Sequence, residues 1–139
     1  MRIEPPDLML WLTAYIRAEG VVAGLDFEVG TREPAELQLP LPRPLIVIRD
    51  DGGSRKDWIT FDRTIGASVL AGTRANERPA NDLARWLASV LFDDALPLVQ
   101  DCPIASVDWD GCNGPFDAAE TLDVARRYLT AKYVVSGSW

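Results

Sequence analysis

Leu8, Trp11, Leu12, Tyr15 and Ile16 recur at offsets of three and four, which predicts an amphipathic helix over residues 7–19. Asp7 serves as its N-cap and Gly20 as its stop. The period then falls to two. Leu25 to Val29 alternates around Asp26 and Glu28 and predicts a short strand, followed by an irregular, exposed loop carrying Pro34, Pro40, Pro42 and Pro44. Leu45-Ile46-Val47-Ile48 predicts a strand that runs into the charged turn Arg49-Asp50-Asp51-Gly52-Gly53. Residues 58–61 read as a short strand and 64–72 as a longer one, with Ile65, Ala67, Val69 and Ala71 alternating against Thr64, Gly66, Ser68 and Leu70. Helical spacing returns in Ala80, Leu83, Ala84, Leu87, Val90 and Leu91, with Pro79 in the first turn, and predicts a helix over 77–92. Residues 104–110 alternate again, setting Ala105, Val107 and Trp109 against Ser106, Asp108 and Asp110 on the opposite face. A loop over 111–123 and a closing strand over 126–136 complete a long hairpin with that segment.

The order helix, strands, helix, strands implies an α+β fold: a mostly antiparallel β-sheet with two α-helices packed on one face. With 139 residues, 47% of them apolar, the chain is long enough for one domain with its own core, and no linker or repeat divides residues 1–139. No apolar run approaches the length of a membrane span, and the opening MRIEPPDLML has acids where a secretion signal has bases. The expectation is a cytosolic product with no membrane partner.

Absent residue types narrow the chemistry. There is no histidine, which excludes Ser-His-Asp and Cys-His catalysis and His-ligated zinc. Cys102 and Cys112 stand in no metal-ligand or redox spacing and read as two reduced thiols. Gly52-Gly53 lacks the lysine and helix start of a phosphate loop, and no cofactor is expected. One catalytic possibility stays open: Asp108 and Asp110 on one strand face, with Asp117, Glu120 and Asp123 in the next loop, offer oxygen ligands to a hard cation and a route to a metal-dependent hydrolase. The same acids on an edge hairpin also serve simply as solvated charges that discourage aggregation.

Charge distribution says more than any single acid. The 21 acids outnumber the 14 bases, giving a net charge of −7, the wrong sign for gripping nucleic acid by its phosphates. Between Trp86 and Ala125 there are eight acids and no Lys or Arg, which reads as a negative wall, as a patch that meets a basic neighbour, or simply as solvated charge that keeps the protein soluble. Arg126 and Arg127 follow it directly and are expected to pair with it, within the hairpin or across a subunit boundary. The basic turn at Arg49, Arg55, Lys56 and Arg63 is the candidate complementary patch. Of five tryptophans, Trp11 and Trp86 fall on helices, Trp58 and Trp109 on strands, and Trp139 ends a Ser-Gly-Ser tail. Most are core by default, and Trp86 and Trp139 are the better contact candidates.

This order of features resembles the small tail terminator, or tail completion, proteins of long-tailed bacteriophages. The likeness rests on the N-terminal helix, the Pro-rich connection, Leu45-Ile46-Val47-Ile48-Arg49 with its Gly-Gly turn, the helix Asn81-Asp82-Leu83-Ala84-Arg85-Trp86-Leu87 and the closing strand Arg127-Tyr128-Leu129-Thr130-Ala131-Lys132-Tyr133-Val134-Val135-Ser136-Gly137. The resemblance covers nearly the whole chain. It implies a tail-terminator-like fold and a structural virion protein without a catalytic centre. Such subunits assemble as a ring, typically a hexamer, on the last ring of the tail tube protein, end tail polymerisation, and offer a docking surface to the head connector or stopper protein. DNA only passes through the lumen. The acidic stretch 93–123 suits such a lining, since a like-charged wall does not retain a polyanion. Three alternatives remain beside this one: another neck component such as a head completion or stopper protein, the carboxylate-metal hydrolase, and a module that captures a peptide strand on a free sheet edge.

Overall fold

The computed structural model describes residues 1–139. Helix α1 spans Leu8–Ala23, and the Asp7 side chain accepts a hydrogen bond from the Leu10 N–H at 3.1 Å, capping it as the sequence predicts. The helix passes the predicted stop. Gly20 lies inside it against the Phe27 ring, where a Cβ would come within 2.5 Å, and the left-handed residue that ends the helix is Gly24 at φ 70°. Helix α2, Arg78–Leu91, matches its predicted span to within a residue and buries Ala80, Leu83, Ala84, Leu87, Ala88 and Leu91.

The strands are β1 Glu28–Gly30, β2 Leu45–Asp50, β3 Thr60–Ala71, β4 Ile104–Val107, β5 Asn113–Asp117 and β6 Ala125–Ser136. The two segments predicted at 58–61 and 64–72 are one strand, because Asp62, Arg63 and Thr64 continue the ladder opposite Val134, Tyr133 and Lys132. β3 and β6 pair antiparallel over their full lengths and form the centre of the sheet. β2 and then β1 extend it on one side, the β1–β2 pair being parallel. On the other side β4 and β5 follow one another along β6, both antiparallel to it. The sheet is thus mixed but mostly antiparallel, and the fold is α+β. The predicted hairpin forms, with one change: its first arm is broken. The strand predicted over 104–110 stops at Val107, a 3₁₀ turn occupies Trp109–Gly111, and the predicted 111–123 loop contains β5.

β6 alternates buried and half-buried residues without a break. Its inward residues Leu129, Ala131, Tyr133 and Val135 join Ile46, Ile48, Ile65, Ala67 and Val69 under Leu12 and Ile16 of α1 and Leu83, Leu87 and Leu91 of α2 in one core cluster of 20 residues. Both helices therefore cover the same face. The other face presents Thr64, Gly66 and Ser68 beside Tyr128, Thr130 and Lys132, and one end of it is covered by the Pro-rich loop, whose Leu37, Leu39 and Leu41 pack on Leu45, Leu70 and Val124. That loop is irregular and mostly exposed, as predicted, but its three leucines turn inward and shield an apolar corner the helices do not reach.

Cys102 and Cys112 are free, half-buried and packed against the core. Burial pushes both thiols up from their ordinary range. At pH 7 their alkylation in the folded protein is therefore expected to be slower than in denaturant, since the thiolate is the reactive form and burial also limits access. Timed labelling followed by mass spectrometry checks this.

Candidate assembly surfaces

The acid-rich stretch does not converge on a point. Asp108 caps the 3₁₀ turn: its Oδ1 accepts the Asp110 N–H at 3.2 Å, and its Oδ2 lies 3.5 Å from Lys132 Nζ. Asp108 and Asp110 consequently do not share a strand face, because the turn begins where the strand was predicted to continue. Asp117 pairs with Arg127 at 3.0 Å, Glu120 with Arg126 at 2.8 Å, and Asp123 accepts the Arg74 N–H at 3.1 Å. No three His, Cys, Asp or Glu side chains come together in a way that could hold a metal ion. Four of the carboxylates that suggested a hydrolase are thus engaged separately, each with its own partner, and the fifth, Asp110, stands exposed and apart from them.

Arg126 and Arg127 pair with the acidic stretch inside the hairpin. Their side chains leave neighbouring positions of β6 on opposite faces. Arg126, on the open face, is held from both sides: Glu33 accepts two bonds, at 2.8 and 3.1 Å, and Glu120 a third. Arg127 is buried at 8% exposure and reaches out to Asp117 and, at 3.7 Å, to Glu77. Sequence reasoning located these arginines but missed Glu33, which lies 93 positions away and reaches Arg126 through the Pro-rich loop.

The basic turn is largely satisfied within itself. Arg49 donates to Asp51 at 2.6 Å and to the Tyr128 hydroxyl at 2.7 Å. It crosses the sheet over Gly66, where a Cβ would lie 2.5 Å from that hydroxyl. Lys56 faces Asp62 at 3.8 Å, Arg55 donates to the carbonyls of Asp57 and Trp58, and Arg63 donates to the carbonyls of Gly53 and Asp62. Asp57 organises the turn by accepting from the Thr60 hydroxyl and the N–H groups of Ile59 and Thr60, which holds its carboxyl below the usual range. These charges shape a loop more than they offer a free patch.

The tryptophans divide differently from the expectation. Trp11 stacks on Tyr15 with ring centroids 4.9 Å apart and is half-buried. Trp86 tilts against Phe27 and borders a cavity of about 310 Å³ between the helices, with Leu25, Pro79 and Leu83. Trp58 and Trp109 are not in strands: both sit in turns, 79% and 64% exposed, and Trp139 is 84% exposed. Each lies where the chain reverses or ends, beyond the reach of the core.

A cationic site that the sequence did not reveal lies at the opposite sheet edge. Beside β1, Arg17 of α1, Arg32 and Arg43 surround a hollow of about 410 Å³ whose floor includes Phe27, Val29 and Leu45. Arg17 donates to the Val29 carbonyl at 3.3 Å and so covers the free edge of β1. Arg43 pairs with Asp26 at 2.9 Å and approaches Glu28 at 4.0 Å. Arg17 and Arg32 form no ion pair with any carboxylate. Their positions, 15 residues apart in different elements, carry no local pattern that marks them as neighbours.

No protein-family model matches this chain, and no curated protein matches it in a sequence search.

Proposed function

We propose that this chain is a structural subunit of a phage tail terminator, a ring on the end of the tail tube that stops polymerisation and receives the head connector. The observation that carries this reading is the exposure of three of the five indoles, Trp58, Trp109 and Trp139, at two separate places on the surface. A single exposed leucine needs no explanation, but an indole is a large apolar surface concentrated at interfaces. Trp58 and Trp139 lie at the end of the sheet where Gly137 donates to the Ile59 carbonyl, while Trp109 lies at the break in the outer edge. Leu10, Val21 and Val22 add an uncovered apolar strip on the outer side of α1.

Separate sticky surfaces suit a part with three neighbours: the next subunit, the tube and the connector. They suit an enzyme less, and the scattered carboxylates supply no catalytic constellation. Exposed Asp93, Asp94 and Asp101, none paired with a cation, fit a wall past which DNA slides. No helix is long and apolar enough to cross a membrane. Strand capture is disfavoured by the edges themselves. β1 is three residues long and covered by Arg17, β4 is four residues long with an irregular register, and β5 carries Pro115.

The test is polymerisation of the tail tube protein encoded with this chain, with and without the purified chain. Capped tubes of limited length are expected, and the exposed-site variant W58A/W139A should stay folded and cap about tenfold less effectively. Unchanged tube length overturns the reading, and binding to the connector without any effect on tubes assigns the chain to the stopper class instead.

A further inference from the structure

We infer that copies of this chain join side by side through opposite edges of the sheet, with Phe116 and Asp117 of one copy entering the arginine-lined hollow beside β1 of the next. This rests on the ring reading only in taking a second copy as the occupant. The two edges are level. One transverse row runs Gly30, Val47, Ser68, Tyr128, Phe116, and the next runs Val29, Ile46, Val69, Arg127, Asp117. Four strand spacings separate the two ends of each row, about 19 Å. β5 runs antiparallel to β1, so a copy displaced sideways brings its β5 alongside the neighbour's β1 in the antiparallel sense.

The surfaces match in chemistry as well as position. The hollow has an apolar floor and three guanidinium groups against one carboxylate, Glu28, which lies toward Arg43, and Arg17 and Arg32 have no carboxylate partner. The opposing edge projects Phe116, 52% exposed, next to Asp117, which keeps 84% of its side chain exposed while bonded to Arg127, and exposed Asp110 lies in the 3₁₀ turn just before this strand. An aromatic ring flanked by acids fits a pocket with an apolar base and a cationic rim. Gly30, level with Phe116, has open space where a Cβ would project. Because both edges are blunted, side chains rather than a continued backbone ladder carry the contact, and register comes from charge. The patches differ, so the contact is heterologous and propagates, and sheet twist turns each copy relative to the last, as closure into a ring requires.

Sedimentation velocity of the full chain over protein and salt concentration tests this, with circular dichroism to confirm folding. The variants are R17E/R32E on one edge and D110R/F116R on the other, the second touching no buried group. Each alone should weaken self-association about tenfold or more, and added salt should weaken that of the wild type. An equal mixture of the two should regain wild-type association, because each reversed edge then meets a reversed partner. A strict monomer throughout overturns the inference, as does association indifferent to both variants. So does an acidic peptide or phosphate that fills the hollow while copies stay apart. Charge-dependent association without tube capping keeps this contact and discards the tail reading, whereas capping untouched by either variant does the reverse.

Discussion

Tyr133→Ala is expected to lower the unfolding free energy by about 3 to 5 kcal/mol, and Tyr133→Phe by about 1 to 2 kcal/mol. Tyr133 is the largest fully buried side chain in the protein and stands on the central strand β6 beneath α2. Truncation removes an entire ring from a close-packed layer bounded by both helices, and neither rigid neighbour can collapse far into the space. The hydroxyl contributes separately by donating to the Leu91 carbonyl at 2.7 Å. That carbonyl belongs to the last turn of α2 and has no partner within the helix, so phenylalanine leaves it buried and unmatched. Burial holds the phenol far above its ordinary range, so the bond persists at any practical pH. Urea titrations of the three proteins check both figures. Against a total stability of about 5 to 15 kcal/mol for a domain of this kind, the alanine variant sits near the limit of folding. Equal losses for the two substitutions would show that the ring contributes nothing beyond the hydroxyl, contrary to its place in the core.

Tyr133 also shows why most of the fold is legible in the sequence. β6 alternates strictly because one face meets the helices and the other does not, and a period of two survives intact in a strand of 12 residues. The same logic makes α2 readable, with one apolar stripe and one polar face. α1 is harder to bound. Its outer side carries Leu10, Val21 and Val22, all exposed, so the apolar pattern does not mark its burial cleanly, and Gly20 signals a stop where it serves close packing against Phe27. The edge strand fails for a different reason. Ser106, Asp108 and Asp110 continue the alternation on paper, but an aspartate that caps a turn looks the same in a sequence as one on a wet strand face.

The candidate surfaces are legible only where they are local. Arg126 and Arg127 stand next to the acids they meet, and their pairing follows from a hairpin. The basic turn was equally visible, but proximity in sequence misled there: Asp51, Asp57 and Asp62 lie within the same turn and occupy or shape most of its donors. The hollow formed by Arg17, Arg32 and Arg43 draws on a helix, a loop and the approach to β2, and only the parallel pairing of β1 with β2 brings them together. Charge run length is therefore a poor guide to where a surface is cationic. Closure of the sheet decides it.

Removing Arg126 should produce the largest change outside the core. Arg126→Met is expected to destabilise the protein by about 2 to 3 kcal/mol at pH 7, because it leaves two carboxylates facing one another with no cation between them. The Glu120 side chain is only 13% exposed and the Arg126 side chain 17%, so water offsets little of the loss. Arg126 also ties Glu33 of the Pro-rich loop to β6, so its removal should loosen the cover that Leu37, Leu39 and Leu41 place over the open face. The pH dependence distinguishes this account from a general loss of packing. The hydrogen bond from Arg126, reinforced by the Leu122 N–H, holds the Glu120 carboxyl below its ordinary range in the wild type. A depressed carboxylate contributes stability above its unfolded value of about 4.3, and that contribution is lost as pH falls through the folded value. In Arg126→Met the cation is gone while burial remains, so protonation relieves the variant instead of harming it. The stability gap between the two proteins should therefore narrow steadily as the pH falls below about 5. Parallel urea titrations across that range measure it, and a gap that stays constant with pH would mean that Arg126 acts through its alkyl chain and not through its charge.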